Sequence, residues 1–476
     1  MIDQLTSHLH RQFVSSIVYM LQISEYNIGD YVSWVYQTKD FSHIQKRKKL
    51  IRTKKAIILE ISLWMMIALI IGINGCVAYL YPFSVSIGII CVSLIASRYV
   101  LGYGVILPLI LINLLQYPYE KILKENAKKK ISCHKGLKIG IAGSYGKTSM
   151  REIVRTVLSE GKKVAAPQDS INTPLGISTF IQTLKGDEDI VIFELGEYFP
   201  GDIKKLCEMV SPDIGIITGI NEAHLEKMKT IDNTVKTIYE LADFLKEKLT
   251  YINGENALAK ENMRLGQIAY DKHAVGSWTI HEIQTDLSGT SFVIKKGKQK
   301  IVGESSLIGE HQIGPLALAV DLADRVGLTK DQIQKGVAKT KPFPHRLEVK
   351  TDASGVITLD DSYNGNPDGV DAVIACISHI KNHRRWYVTP GLVEMGSKKE
   401  EVHKEIGRKL AKAQIEKVIL IRNSVTKFIE QGLQEINYKG DILWFDDELA
   451  ALRALPRLTV FGDLVVLQND WPDQYK

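Results

Sequence analysis

Five cysteines in 476 residues, none in a CxxC pair or at Cys/His metal spacing, leave this chain without a thiolate metal site or a disulfide framework. Cys76, Cys91, Cys133, Cys207 and Cys376 read as free thiols in a reducing compartment. A broad basic face is lacking too. "KRKKLIRTKK" (46–55) holds seven cations and "KILKENAKKK" (121–130) a net four, and taking those eleven from the formal charge of +6 leaves −5 for everything else. A nucleic-acid footprint would spread Lys and Arg over a folded face, so nucleic acid is excluded as a partner. A secretory signal is not expected either, because the apolar stretch is too long and stands too far along the chain.

What the chain does have is two long apolar runs. "AIILEISLWMMIALIIGINGCVAYLY" (56–81) carries one charge, Glu60, and exceeds the ~20 residues a helix needs to cross a bilayer. After Pro82 a second run, 83–116, carries only Arg98. Cations flank both ends of this region, and the positive-inside tendency places both flanks in the cytoplasm. An even number of crossings follows. Two are expected, about 56–81 and within 83–117, the second tilted, kinked or partly re-entrant, which would put the chain in the cell membrane with its catalytic domains cytoplasmic and membrane lipid as a partner. Residues 1–45 are aromatic and mildly amphipathic and would lie at the interface.

"GIAGSYGKTSM" (140–150) follows soon after. "LKIGIA" (137–142) has strand character, and "KTSMREIVRTVLSEG" (147–161) has helical periodicity with a glycine stop. Gly140, Gly143 and Gly146 therefore stand in a strand-to-helix turn, where the N–H groups of 143–149, including Ser144 and Ser149, can converge on phosphate oxygens at the positive end of the helix dipole. Lys147 would reach the terminal phosphates of ATP and Thr148 would hold Mg²⁺. The spacing departs from GxxxxGK[ST], since Ile141 occupies the first glycine's place. Further along, "VIFELGEYFPGDI" (191–203) sets Glu194 at the end of a buried strand and "IGIITGINEAHLEKM" (214–228) sets His224 just beyond another, so that a carboxylate and an imidazole could meet a divalent cation beside the phosphates.

Taken in order, "AGSYGKTS" (142–149), "NTPLG" (172–176), "FELGE" (193–197), "NEAHLE" (221–226), "ING" (252–254), "GEHQ" (309–312), "PHRLE" (344–348) and "LDDSYNGNPDGV" (359–370) resemble the Mur ligase family, the last of them its branch that adds a D-alanyl-D-alanine dipeptide. The resemblance implies an ATP- and Mg²⁺-dependent carbon–nitrogen ligase working through an acyl phosphate on a UDP- or lipid-linked peptidoglycan precursor, with an amino acid or dipeptide as the incoming amine. By the same resemblance Lys147, Glu194 and His224 are catalytic, and Thr148, Glu194 and His224 hold metal. Arg346 contacts the nucleotide, Asp361 approaches its ribose, and Asn253 lies near the adenine. Asn172, Thr173, Asn364 and Asn366 serve substrate binding and domain closure, and Glu394 faces the dipeptide or solvates a loop. The implied fold is α/β: a central P-loop ATPase domain with a mostly parallel sheet (132–345) and a C-terminal Rossmann-like domain (346–476), preceded by a helical transmembrane region (1–131).

Three departures qualify the expectation. Where the family usually has a carbamylated lysine, this chain has Ile238, with Lys236 two residues away on a different helical face. Gln312 and Pro315 replace two asparagines of a nucleotide motif. The family's UDP-binding N-terminal domain has no counterpart, the apolar region standing in its place. A poly-γ-glutamate-synthetase-like membrane ligase and a non-catalytic nucleotide-binding scaffold for cell-wall synthesis stay open as alternatives.

Overall fold

A computed structural model of the protein describes residues 11–24, 26–37, 50–168, 170–221, 228–363, 365–380, 382–392 and 395–469. These fall into two compact units, Met1–Ile122 and Leu123–Lys476.

The first unit is helical. Lys54–Leu80 starts where the Thr53 hydroxyl accepts the N–H of Ala56, and beyond its first turns its apolar side chains are spread around all sides. Phe83–Gly104 and Ile106–Ser132 are separated only by Val105. Pro108 explains the interruption: it has no N–H for the carbonyl of Gly104, so the ladder breaks one turn before it. By length and composition two spans, Lys54–Leu80 and Phe83–Ser132, could cross a membrane. The N-terminal segment packs against these helices. Arg11–Ile23 buries Phe13, Val14, Ile17, Val18 and Leu21 in one cluster with Leu59, Leu63, Ile67, Leu101, Val105 and Leu109. Ile28–Gln37 adds Tyr31, whose buried hydroxyl donates to the carbonyl of Gly102 at 2.7 Å. Burial on most sides of Arg11–Ile23 outweighs its weak amphipathic pattern.

The second unit is built on two sheets. The larger has ten strands in the order β10-β9-β8-β7-β6-β5-β4-β1-β3-β2. Its parallel part is β1 (Leu137–Ala142), β2 (Val164–Ala165), β3 (Ile190–Glu194), β4 (Ile214–Ile217), β5 (Thr250–Asn253) and β6 (Ile268–Tyr270). An antiparallel extension follows: β7 (Ala274–Val275), β8 (Trp278–Asp286), β9 (Gly289–Lys296) and β10 (Gln299–Ser305). β3 is buried along its whole length, as a central parallel strand covered on both faces must be. One apolar cluster joins helices Lys147–Leu158, Ile313–Arg325 and Lys330–Ala338 to the sheet, and another joins Pro174–Thr183, Asp202–Val210 and Ile231–Leu245. The second includes Ala127 and Ile131, and nearby the ammonium of Lys130 donates to the carbonyls of Gln182 (2.8 Å) and Leu184 (2.7 Å), a cation at a helix C-terminus. Only Cys133 to Gly136 separate the end of Ile106–Ser132 from β1.

The smaller sheet has the order β11-β12-β16-β13-β14-β15, from β11 (Glu348–Thr351), β12 (Ile357–Asp361), β13 (Arg385–Thr389), β14 (Lys417–Ile421), β15 (Asp441–Phe445) and β16 (Leu464–Gln468). All its pairs are parallel except β11 with β12. The doubly wound α/β architecture expected from the alternating pattern is present in both sheets.

Candidate active site

β1 lies between β3 and β4; the chain leaves β1 toward β2 on one side and leaves β4 toward β5 on the other, which opens a crevice at their carboxyl ends. The glycine-rich turn occupies that point. Gly143 has φ 147° and Gly146 φ 79°, both in the region that favours glycine. At Gly143 a Cβ would also stand 2.1 Å from the Thr218 hydroxyl, so the turn can hug β4 only without a side chain there. Ser144 fixes the turn from its other end, its N–H donating to the carbonyl of Gly219 at 2.7 Å. Gly146 caps the helix Lys147–Leu158 with no side-chain bond, leaving the first-turn N–H groups, including that of Ser149, aimed out of the helix end.

The charged side chains gather around this turn. Lys147 donates to both carboxylate oxygens of Glu197, at 2.9 and 2.8 Å, and to the carbonyl of Gly143. Thr148 donates to Glu194 Oε2 at 3.1 Å and shares a 3.0 Å hydrogen bond with Ser170. Glu194, at the end of β3, is ion-paired with Arg151 at 2.8 Å, and both are essentially buried. Burial pushes the Glu194 carboxyl above its ordinary value, against the pull of Arg151 and Lys147. The buried Glu194 carboxylate and the Thr148 hydroxyl are hard oxygen donors of the kind that suit Mg²⁺.

Other expected residues sit close by in the fold. The carbonyl of Asn172 accepts the N–H of Gly196, which ties "NTPLG" to "FELGE". The Thr173 hydroxyl caps Pro174–Thr183 by accepting the N–H of Gly176 at 3.3 Å, a structural use of that side chain. Asn253 ends β5, its side chain accepting the N–H of Glu255 at 3.0 Å. Asn366 caps Pro367–Ser378 and accepts from the amide of Asn221 at 3.0 Å, while that amide also donates to Asp368 at 2.7 Å. The N–H of Asn221 in turn donates to the Ser144 hydroxyl at 3.4 Å, so Asn221 links the start of Pro367–Ser378 to the phosphate turn. His224, Asn364 and Glu394 lie outside the described residues.

Asp361 departs from expectation. It is buried, with one oxygen accepting the N–H of Leu347 at 3.2 Å and the other accepting from Gln468, whose amide oxygen accepts from Tyr387 at 2.9 Å. Both carboxylate oxygens are thus engaged by the protein. The partner set accounts for it: the buried side chains of Asp361, Gln468 and Tyr387 satisfy one another in a chain of hydrogen bonds. Burial raises its carboxyl to about 6, opposed by Arg346. Arg346 lies with its guanidinium 5.0 Å from the centre of the Tyr363 ring. Because the folded-state value is raised, Asp361 contributes stability that is full below its ordinary 3.8 and is lost as pH rises to about 6. The unfolding midpoint of the native chain relative to Asp361→Asn is therefore expected to fall between pH 4.5 and 6.5 and to level off above pH 7. A constant difference over that range would contradict the assignment.

His345, Glu348 and Asp360 also converge, but Lys350 is already bonded to both carboxylates at 2.9 Å, which leaves no need for a metal ion. Ile238 is wholly buried in the apolar cluster with Leu206 and Cys207, and Lys236 is exposed on another face, so neither brings charge to the turn. Glu197, Arg151 and Asp368 all fall in stretches that the sequence singles out, yet none of them has a role there. The spacing of Glu197 three residues after Glu194 was the available signal.

Residues 141–323 match the Mur ligase middle domain, and residues 345–468 match the Mur ligase glutamate ligase domain. The chain belongs to the Mur ligase family. It is similar to the UDP-N-acetylmuramoyl-tripeptide--D-alanyl-D-alanine ligase of Bacillus subtilis (strain 168), 24% identical over 334 residues that span 69% of this chain and 72% of that protein. The enzyme of the same name from Mycobacterium leprae (strain TN) is 25% identical over 364 residues, 69% of this chain and 70% of that one. In fold it is similar to the MurF ligase of Thermotoga maritima in complex with ADP, with a TM-score of 0.65 at 21% identity over 75% of this chain and 81% of that chain. As a Mur ligase it is an ATP-dependent ligase, and the glycine-rich turn lies within the matched middle domain.

Proposed function

We propose that this Mur ligase is held in the membrane by residues 1–131 and joins a dipeptide of the D-alanyl-D-alanine kind to a peptidoglycan-type precursor. The observation that carries the reading is the bridge made by Asn221, which holds Asn366 and Asp368 on one side and bonds Ser144 of the phosphate turn on the other. The stretch that resembles the dipeptide-adding branch thereby stands at the site where ATP would react. The names of the similar enzymes support the same amine and acceptor.

In this reading the precursor's carboxylate takes the γ-phosphoryl group of ATP, and the amine then displaces phosphate from the acyl phosphate. Lys147 offsets the charge on the transferred group, and the N–H groups of the turn orient it. Mg²⁺ would be held by Thr148, Glu194 and His224 and would supply neutralisation of the phosphates. Residues 54–80 and 83–132 support the membrane placement, since both spans expose apolar side chains such as Met65, Leu69, Leu111 and Leu115.

The test is the full chain in detergent, offered UDP-linked and lipid-linked muropeptides with ATP and D-alanyl-D-alanine, with products identified by mass. Release of ADP and phosphate is expected only when acceptor and dipeptide are both present. No turnover with any precursor would favour the non-catalytic scaffold, which the apolar burial of Ile238 supports. Release from membranes by an alkaline carbonate wash would remove the anchoring.

A further inference from the structure

Lysine has three N–H donors, and here all three have acceptors: the carbonyl of Gly143 and the two oxygens of Glu197. A phosphate oxygen reaching Lys147 must therefore break into this pair. Glu197 is buried, its side chain 3% exposed, and among the described residues Lys147 is the only cation within ion-pair distance of it. Glu194 is in a different position, because Arg151 pairs with it independently of Lys147.

If Lys147 turns to a nucleotide, Glu197 is left as a buried carboxylate with no counter-charge among the described residues, next to incoming phosphates of the same sign. Breaking a buried pair in this way is strongly unfavourable unless another cation arrives. A divalent cation accompanying the nucleotide is the species that can meet both anions at once.

We propose that Glu197 makes nucleotide binding at this turn conditional on a divalent cation, by holding Lys147 in a closed pair that metal-free nucleotide cannot open at low cost. The inference rests on the reading that the turn takes ATP. Glu197 then acts as a positioning residue: it sets where Lys147 points before binding and penalises nucleotide that arrives without its cation. Neither Glu194 nor Asp361 can do this, one being paired with Arg151 and the other bonded to Gln468 in the smaller sheet.

The experiment is calorimetric titration of the full chain in detergent with ADP, once with excess Mg²⁺ and once with a chelator, on the native chain and on Glu197→Gln, Glu197→Ala and Glu197→Asp. Native chain should bind ADP well only with Mg²⁺. Glu197→Gln and Glu197→Ala should bind metal-free ADP at least tenfold more tightly than native, with a much smaller change when Mg²⁺ is present. Glu197→Asp, which keeps the charge, should keep the dependence on the cation and guards against a general loosening of the site. A merely structural role would weaken both titrations together. Metal-free affinity unchanged in whichever neutral variant folds, while native chain binds ADP with Mg²⁺, overturns the role of Glu197 and leaves the nucleotide site standing. Failure of native chain to bind ADP under either condition overturns both.

Discussion

Lys147→Ala is expected to lower ATP-dependent product formation by about 10³-fold, the scale seen when one preorganised group facing developing charge is removed. The reasoning runs through the geometry of the turn. Gly143 and Gly146 shape a backbone cradle, but the cradle supplies only partial charges, and the full positive charge at its mouth is Lys147. Arg151 lies in the same first turns of the helix but is buried and committed to Glu194, so it cannot take over. The variant also strands Glu197, and a loss of stability could imitate a loss of chemistry. Lys147→Met combined with Glu197→Gln separates the two: stability should return while turnover does not. Turnover near the native rate in Lys147→Ala, measured as phosphate release with both substrates present, would mean that the triphosphate is gripped elsewhere.

How much of this was legible beforehand depended on whether a feature was local. "LKIGIA" and the helix after it are read from a few neighbouring residues, and they form β1 and Lys147–Leu158. The alternation of 385–423 is local too, and it yields β13, a helix and β14 in a parallel sheet. The meander β8 to β10 went unmentioned because it carries none of the motifs that drew attention, although turns at Gly289 and Gly297 punctuate it. Ion pairing was illegible for a different reason. Arg151 and Glu194 are 43 positions apart, and only the side-by-side pairing of β1 with β3 brings the helix after one to the end of the other. Asp361 was expected to approach a nucleotide because of its motif, yet the side chain that bonds it, Gln468, comes from the neighbouring strand β16, more than 100 positions along the chain. Motifs located the site; long-range pairing decided which way each charge points.

Arg151→Met should cost about 3–5 kcal/mol of stability, the usual penalty for breaking a buried pair by deleting one partner. Arg151 has no exposed side-chain surface and holds Glu194 at 2.8 Å and Glu152 at 2.7 Å. Methionine fills similar volume without charge, so packing changes little and the electrostatic loss dominates. Glu194 is already raised by burial, and Arg151 is the first of the groups that hold it down. Without Arg151 it rises further. A carboxyl with a raised folded-state value costs stability as pH climbs from its ordinary 4.5 through the folded value, so the gap between native and variant should widen as pH rises above 4.5. Adding Glu194→Gln to Arg151→Met removes the stranded charge and should recover most of the loss, since replacing both members of a buried pair is often nearly neutral. The recovered double variant should still form no product, because it lacks the carboxylate that Thr148 contacts at 3.1 Å. Urea unfolding in detergent, followed at several pH values, reads the first three outcomes, and product mass reads the fourth. A double variant as unstable as Arg151→Met alone would show that Arg151 matters here through Glu152 and packing, and would detach Glu194 from the charge balance of the site.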